Sequence, residues 1–253
     1  MIYKNPVPND TDMDGENLFE SSSTDYIPMK SVYFAFIDVL GFKKTFEDIK
    51  ISQNDANINN IREVFNYYFA LMNAANFMRG RENSGCYAGQ TSDSLYFYTD
   101  RRDFLLQFIK IFSHFNMYAM SRNIFFRGGI AKGSLYKKEK YQFYGDSVIG
   151  AYSIESNISK NPIIVVDEKT HSDLLYYDEY KDMFDDFNGR HYIKPFSFLG
   201  KDIKLEIADD FLVKTINEEA IKENIIKNLS DFEYDEKNYG KYVFLKKAMD
   251  SKK

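Results

Sequence analysis

The chain has 253 residues, of which 44% are hydrophobic and 28% are charged, a balance typical of a soluble globular protein with a sizeable core. Its formal net charge of -5 argues against broad nonspecific binding to nucleic acid, and its single cysteine, Cys86, excludes an intramolecular disulfide and a cysteine-rich zinc site. No apolar run approaches the roughly 20 residues that span a bilayer, and no basic, then hydrophobic, leader is visible at the N-terminus. We therefore expect a cytoplasmic protein without a membrane partner.

The first predicted elements are an arm and a buried strand. Residues 1–30 are polar and acidic with scattered Pro, Ser and Gly, so we predict a mostly disordered arm ahead of a single domain over residues 31–253. Residues 31–39 ("SVYFAFIDV") form a continuous apolar run, which predicts a central strand buried on both faces. Residues 41–49 can start a short helix.

The following segments alternate between helical and strand patterns. Helical periodicity predicts two long helices, and apolar runs between breakers predict a hairpin, a glycine-interrupted strand, a further helix and a last clear strand. These segments are, in chain order, residues 57–78 (helix), 86–99 (hairpin with its turn near Gly89–Ser92), 101–120 (helix), 123–136 (strand), 145–156 (helix) and 162–167 (strand). The final third predicts extra strands, partly over residues 194–211, and one peripheral helix.

This order of elements predicts the fold class. A strand hairpin between two helices is the ferredoxin-like βαββαβ pattern, so we expect an α+β fold with a mostly antiparallel sheet flanked by helices.

Asp38 ends the predicted central strand and is the first candidate functional residue. Alternation along a strand puts its side chain on the same face as Phe34 and Phe36. At a strand end the carboxylate can project into a ligand crevice, where it must be solvated, paired or metal-bound. The alternative is that Asp38 only caps the next helix.

The residues that follow Asp38 suit a phosphate group. Gly41 permits a close backbone approach, and the N–H groups of Leu40, Gly41 and Phe42 open the next helix, where anions bind readily. Lys43 adds positive charge beside them. The sequence therefore predicts a carboxylate, an amide nest and a basic residue within six positions.

Asp93 is the second candidate carboxylate. It lies at the tip of the predicted hairpin, although an aspartate there is often only a turn residue. The ferredoxin-like order makes the first strand and the hairpin neighbours, so Asp38 and Asp93 are expected to converge. Two close carboxylates repel, and hard divalent cations such as Mg²⁺ or Mn²⁺ would relieve that repulsion. Two such ions form the clamp used for in-line phosphoryl displacement.

Four segments resemble the class III nucleotide cyclases. These are "FIDVLGFKK", "SDSLYFY", "FRGGIAKGSL" and "YQFYGDSVIGAYSIES", and together they span about residues 31–166. The sequence departs from the purine cyclases at three positions. Ile149 and Ser153 stand where those enzymes carry an Asn and an Arg, and Gly89 stands where they carry a base-selecting Lys. The motifs are more similar to the Pycsar antiphage cyclases, which act on pyrimidine nucleotides.

The resemblance implies a mechanism and partners. Asp38 and Asp93, with the Val39 carbonyl, would hold two Mn²⁺ or Mg²⁺ ions, and the ribose 3′-hydroxyl of an NTP would attack the α-phosphorus and release pyrophosphate. The family implies a C2 homodimer with its sites at the interface, where Phe36 could pack against the base from the partner chain, or could simply belong to the core. Arg127 could replace the missing transition-state arginine or form an ordinary ion pair. A separate effector would respond to cUMP or cCMP.

Several alternatives remain open at this level. The chain could be a purine cyclase or a catalytically degenerate module that binds a nucleotide or a partner. A diguanylate cyclase would require a Gly-Gly-Asp/Glu-Glu-Phe hairpin, which residues 90–94 ("QTSDS") do not provide. Asp146 is expected to cap a helix, Glu155 to reach the site or a surface lysine, and Lys246 and Lys247 to lie on a solvated face.

Overall fold

The computed structural model describes residues 27–43, 55–75, 86–139, 142–200, 205 and 213–251. Most of the predicted arm and most of the predicted short helix after Gly41 lie outside these residues. The first strand, β1 (Ile27–Val39), begins four residues before the predicted start of the domain at residue 31.

The predicted βαββαβ core is confirmed. Its elements, in chain order, are β1, α1 (Asp55–Ala74), β2 (Cys86–Thr91), β3 (Ser94–Thr99), α2 (Arg102–Ser121) and β4 (Phe126–Glu139). In the sheet, β1 lies between β3 and β4 and is antiparallel to both, and β2 pairs with the outer edge of β3. The fold is therefore α+β with a mostly antiparallel sheet flanked by helices.

The rest of the described chain extends this core on the β4 side. The strands are β5 (Gln142–Tyr144) beside β4, β6 (Ile164–Val166) parallel to β4, and then β7 (Phe184–Phe187) and β8 (Arg190–Ile193). The helices are α3 (Asp146–Ser153), which continues as a π-helical turn over Ile154–Ile158, α4 (Glu168–Leu174), α5 (Asp178–Met183), α6 (Glu218–Asp231) and α7 (Glu236–Asp250). The sequence predicts only one helix in the final third, whereas α6 and α7 form a pair.

The two faces of the central sheet carry separate apolar clusters. Tyr33, Ala35 and Ile37 of β1 face α1 and α2, and Phe97 of β3 stacks on Phe108 of α2 at 4.1 Å between ring centroids. The alternate residues of β1, beginning with Phe34, pack with the tyrosines of β3 and with α3 on the opposite face. The prediction that β1 is buried on both faces is confirmed. In the described part of the chain, no helix is both long enough and apolar enough to cross a membrane.

Glycines of β4 let α3 lie directly on the sheet backbone. A Cβ added to Gly129 would lie 2.4 Å from the Ala151 carbonyl oxygen, and one added to Gly133 would lie 2.7 Å from the Ser147 nitrogen. Such distances are well inside normal van der Waals contact, so any side chain at either position would push the helix away.

The C-terminal helices form a third cluster against α2. Ile221 and Ile225 of α6 and Leu245 of α7 pack with Met117 and Met120, and all five are buried. This packing is why the pair folds onto the domain and brings one face of α7 beside the end of the central sheet.

Candidate active site

Strand register brings three polar side chains to the end of β1. Asp38 lies directly opposite Ser94 of β3 on one side and Arg127 of β4 on the other. Residues that lie opposite each other in a sheet project from the same face, so the three side chains meet. The Ser94 hydroxyl donates a hydrogen bond to Asp38 Oδ1 at 3.2 Å, and Arg127 Nη2 lies 3.8 Å from Asp38 Oδ2.

Asp93 reaches the same end of the sheet through the hairpin. The turn lies at the C-terminal end of the range predicted for it near Gly89–Ser92, because β2 continues to Thr91 and β3 begins at Ser94. The turn is therefore Ser92–Asp93, with Ser92 in the left-handed region at a φ of 56°. Asp93 directly precedes the serine that is bonded to Asp38, and its carboxylate is close enough to act on the charge of Asp38.

The surroundings of Asp38 raise its pKa to about 6. Burial is the largest cause, since a charge loses hydration in the site, and the carboxylates of Asp93 and Glu155 add repulsion. The guanidinium of Arg127 and the hydrogen bond from Ser94 act in the opposite direction but do not compensate. The site thus holds more negative charge than its own cation neutralises.

Arg127 is held by a buried ion pair. Its Nη2 lies 2.6 Å from Glu155 Oε1, and the Glu155 side chain is only 5% exposed. Glu155 belongs to the π-helical turn that follows α3, so this turn supplies the carboxylate that fixes the arginine. Of the two positions predicted for Glu155, the structure shows the one at the site. Arg127 does form ion pairs, and its distance of 3.8 Å from Asp38 also places its charge in the site.

In the segment after Asp38, one backbone N–H is already hydrogen-bonded within the sheet, and the turn at Gly41 has space beside it within the described part of the chain. The Leu40 N–H donates to the Phe125 carbonyl at 2.8 Å, so this group is satisfied within the sheet, unlike the predicted donor to a phosphate. Gly41 adopts a φ of 75°, and a Cβ there would meet no atom of the described residues within 4 Å. Phe42 is partly buried against the core and Lys43 is exposed. The phosphate contacts of Gly41, Phe42 and Lys43 stay predictions.

Of the remaining predicted positions, Phe36 lies on the same face of β1 as Asp38, and the Val39 side chain lies on the opposite face. The ring of Phe36 is partly buried and lies edge-on to Tyr152 of α3 at 5.6 Å, whereas the Val39 side chain packs in the core. Ile149 is 68% exposed and Tyr152 is 56% exposed. Base contact by Phe36 and metal ligation by the Val39 carbonyl stay predictions.

The carboxylates fit a divalent cation in part. Within the described residues, no group of three or more His, Cys, Asp or Glu side chains is arranged to hold a metal ion. Asp38 and Asp93 nevertheless provide hard oxygen donors. Burial is the largest cause of the raised pKa of Asp38, and a cation would relieve the repulsion that Asp93 adds to it. These two residues could therefore hold a metal whose other ligands come from water or substrate oxygens.

Sequence reasoning missed one contact of the site and misassigned another residue. Ser94 is a direct partner of Asp38, and the signal for it was its place opposite Asp38 once the hairpin register is known. Asp146 is not the cap of α3, since Gly145 occupies that position. The Asp146 carboxylate instead accepts a hydrogen bond from the Ser134 hydroxyl at 2.8 Å, which ties the start of the helix to β4.

No family model and no curated protein matches this chain. Among solved structures it is similar to the monomeric guanylyl cyclase domain of the RhoGC fusion protein from Blastocladiella emersonii, at 17% identity and a TM-score of 0.45, over 67% of this chain and 96% of that one. It is also similar to the guanylate cyclase domain of RhGC from Catenaria anguillulae in complex with GTP, at 16% identity and a TM-score of 0.42, over 66% of this chain and 97% of that one. A third similar structure is an adenylate cyclase from Trypanosoma brucei in its monomeric state, at 10% identity and a TM-score of 0.48, over 72% of this chain and 94% of that one. Because these TM-scores are all below 0.5, the function of this chain is inferred from its own residues.

Proposed function

We propose that this protein is a nucleotide cyclase, which converts an NTP into a 3′,5′-cyclic nucleotide and pyrophosphate. The observation that carries the proposal is the meeting of Asp38 and Asp93 at one end of the sheet, with the pKa of Asp38 raised and Arg127 beside it. A structural cap or turn residue gains nothing from burial next to a second carboxylate, whereas a metal-dependent phosphoryl-transfer site needs that arrangement.

Asp38 and Asp93, with the Val39 carbonyl, would hold two Mn²⁺ or Mg²⁺ ions. When bound, such ions supply the positive charge that activates the ribose 3′-hydroxyl and neutralises the triphosphate. Asp38 must lose its proton to act as a ligand, so its pKa of about 6 makes cation binding weaker under acidic conditions.

Arg127 and the segment after β1 would supply the other charge stabilisation. The ribose 3′-hydroxyl loses its proton to water as its oxygen attacks the α-phosphorus, and the bond from that phosphorus to the pyrophosphate oxygen breaks. Arg127, fixed by Glu155, offsets the charge that develops on the phosphoryl oxygens. Gly41, Phe42 and Lys43 would contact the β- and γ-phosphates.

We propose a pyrimidine substrate, with UTP favoured. Gly89 replaces the lysine that selects the base in purine cyclases, and the Tyr96 ring fills the space beside it. A Cβ on Gly89 would lie 2.5 Å from the Tyr96 ring and hydroxyl, so a lysine does not fit there without movement. The motif resemblance to Pycsar cyclases supports the same choice and suggests a cytoplasmic antiphage role, in which a separate effector responds to the cyclic nucleotide.

Exposed apolar side chains support the proposed homodimer. Ile149 and Tyr152, three residues apart on α3, share a face of the helix and are more than half exposed, as is Tyr144 of β5. Burying such a patch against a second copy would remove it from water. In that arrangement Phe36, which contacts Tyr152, would lie near the partner's nucleotide.

The direct test is incubation of the purified protein with each of the four NTPs in Mn²⁺, followed by mass spectrometry. A cyclic monophosphate from UTP or CTP is expected, and Asp93→Asn should abolish it. Asp100→Asn, at the exposed opposite end of the same hairpin, is the matched control and should retain activity. A cyclic product from ATP or GTP alone would replace the pyrimidine assignment with a purine one. No product from a folded dimer would favour the degenerate binding module.

A further inference from the structure

A large cavity with basic walls opens beside the candidate active site. Its volume is about 840 Å³, and Leu40, Gly41 and Arg127 connect it to the end of β1. Its other charged lining residues are Lys160, after the π-helical turn, and Lys237, Lys241 and Lys247 of α7. Among the described residues that line the cavity, none is acidic, although the whole chain carries a net charge of -5.

The lysines of α7 lie along one stripe of the helix. Lys237, Gly240, Lys241, Phe244 and Lys247 all line the cavity, and each lies three or four residues from another member of the set. That spacing keeps them on one helix face. The helix is docked through its opposite side, where Tyr242 and Leu245 are buried against α2 and α6, so the lysine stripe is fixed toward the cavity.

Four of the described lysines line the cavity, namely Lys160, Lys237, Lys241 and Lys247. Within the described part of the chain, no carboxylate lies within 4 Å of their ammonium groups. Lys160 Nζ donates to the Ser156 carbonyl, and Lys241 Nζ donates to Asn238 Oδ1 at 2.7 Å. Both acceptors are neutral, so neither bond cancels a charge.

Lys241 lies at the centre of this positive charge. Burial, together with the nearby charges of Arg127, Lys237 and Lys160, lowers its pKa. Asp235 opposes this effect, but its carboxylate already accepts the Asn238 backbone N–H as the N-cap of α7. Several like charges around one cavity repel, and they are held there only because the helix is packed elsewhere.

We propose that Lys160, Lys237, Lys241 and Lys247 form a polyphosphate site that takes the β- and γ-phosphates of the nucleotide and then the pyrophosphate product. This inference rests on the proposed cyclase function and extends it to the C-terminal helix, for which the sequence analysis predicts no role in ligand binding. The volume, the absence of acidic lining residues and the position next to Arg127 together favour a compact, multiply charged anion over a monoanion.

Gly240 supports a ligand that approaches the helix backbone. A glycine inside a helix lowers helix stability relative to alanine, and here a Cβ would meet no atom of the described residues within 4 Å. Packing against those residues therefore does not require this glycine. Its missing side chain leaves room for a phosphate chain to lie close to the backbone of α7.

The test is calorimetric titration of the full chain with inorganic pyrophosphate at low salt in the presence of a chelator. The protein should bind pyrophosphate, and Lys241→Gln should weaken binding by about 10- to 100-fold, the range for loss of a hydrogen bond between charged groups. Lys246→Gln is the matched control, because Lys246 is on the same helix but is paired with Asp250 at 3.0 Å. It should change binding less than twofold.

Two further variants separate a ligand contact from a folding defect. Lys237→Gln changes an exposed side chain and should also weaken pyrophosphate binding. Gly240→Ala should raise the melting temperature while weakening binding. Lack of pyrophosphate binding by the wild type, or equal binding by Lys241→Gln and Lys246→Gln, would overturn the proposal. Pyrophosphate binding without any cyclase activity would refute the proposed function alone, because the titration needs no turnover.

Discussion

Replacing Asp38 with asparagine should stabilise the protein at neutral pH. The carboxyl has a pKa of about 6 in the folded protein and 3.8 as an unperturbed group. At 1.36 kcal/mol for each pKa unit, ionised Asp38 costs the folded state about 3 kcal/mol. Only 21% of the side chain is exposed, so solvent does not screen most of this cost.

The pH dependence follows from proton binding. Between about pH 4 and pH 6 the folded protein holds a proton on Asp38 that the unfolded chain has released, so this group lowers stability as the pH rises through that window. Asp38→Asn removes the titration and keeps a polar group for Ser94. The variant should therefore be more stable by up to about 3 kcal/mol at pH 7.5, and the difference should vanish near pH 4.

Urea denaturation of both proteins at the two pH values measures this difference in the free energy of unfolding. Asp100→Asn is the control for loss of a carboxylate, and its effect should be small at both pH values. The reasoning would be refuted if Asp38→Asn is less stable than the wild type at pH 7.5. It would also be refuted if the variant is more stable by the same amount at both pH values. Mn²⁺ should stabilise the wild type and have a much smaller effect on Asp38→Asn.

Three further predictions concern neighbouring features. Arg127→Met leaves Glu155 buried without its partner and should lower the free energy of unfolding by roughly 3–5 kcal/mol, measured by urea denaturation. The double variant Arg127→Met/Glu155→Leu should recover much of this loss. A double variant without any recovery would contradict the ion-pair explanation. Gly89→Ala should lower the free energy of unfolding by about 1–3 kcal/mol because its Cβ meets the Tyr96 ring, and Tyr96→Ala in the same chain should relieve the clash. If the effects of the two substitutions on stability simply add, the clash is not the cause. Ile149→Glu should reduce the dimer fraction in light scattering, and an unaltered dimer would exclude this helix face from the interface.

The core of the fold follows from sequence patterns because its segments are long and strongly periodic. Both long helices and the buried strand of Asp38 are confirmed, and the helices agree with prediction to within a few residues. The hairpin turn lies at Ser92–Asp93, at the C-terminal end of the range predicted for it near Gly89–Ser92. In the fold, Gly89 remains in the strand and its missing side chain makes room for Tyr96, which lies opposite it.

The candidate site was partly predictable for a related reason. Asp38 and Asp93 end or precede apolar runs, so strand patterns identify them. The stripe of Lys237, Lys241 and Lys247 has no such signal. On a helix with polar residues around most of its surface, sequence alone does not reveal which face meets another element. Lys246 and Lys247 are predicted to lie on a solvated face, and both are exposed. Only the docking of α7 against α2 shows that Lys247 lines the cavity and that Lys246 does not.

The contact between α3 and the glycines of β4 bears on how this site could diversify. Because the helix rests on the strand backbone at Gly129 and Gly133, main-chain dimensions set its height above the sheet at these two positions. The exposed side chain of Ile149 can thus vary without disturbing the interior, whereas Tyr152 also packs against Phe36. A descendant could exchange Ile149 and change what the face recognises, while the strand that carries Arg127 keeps its sequence.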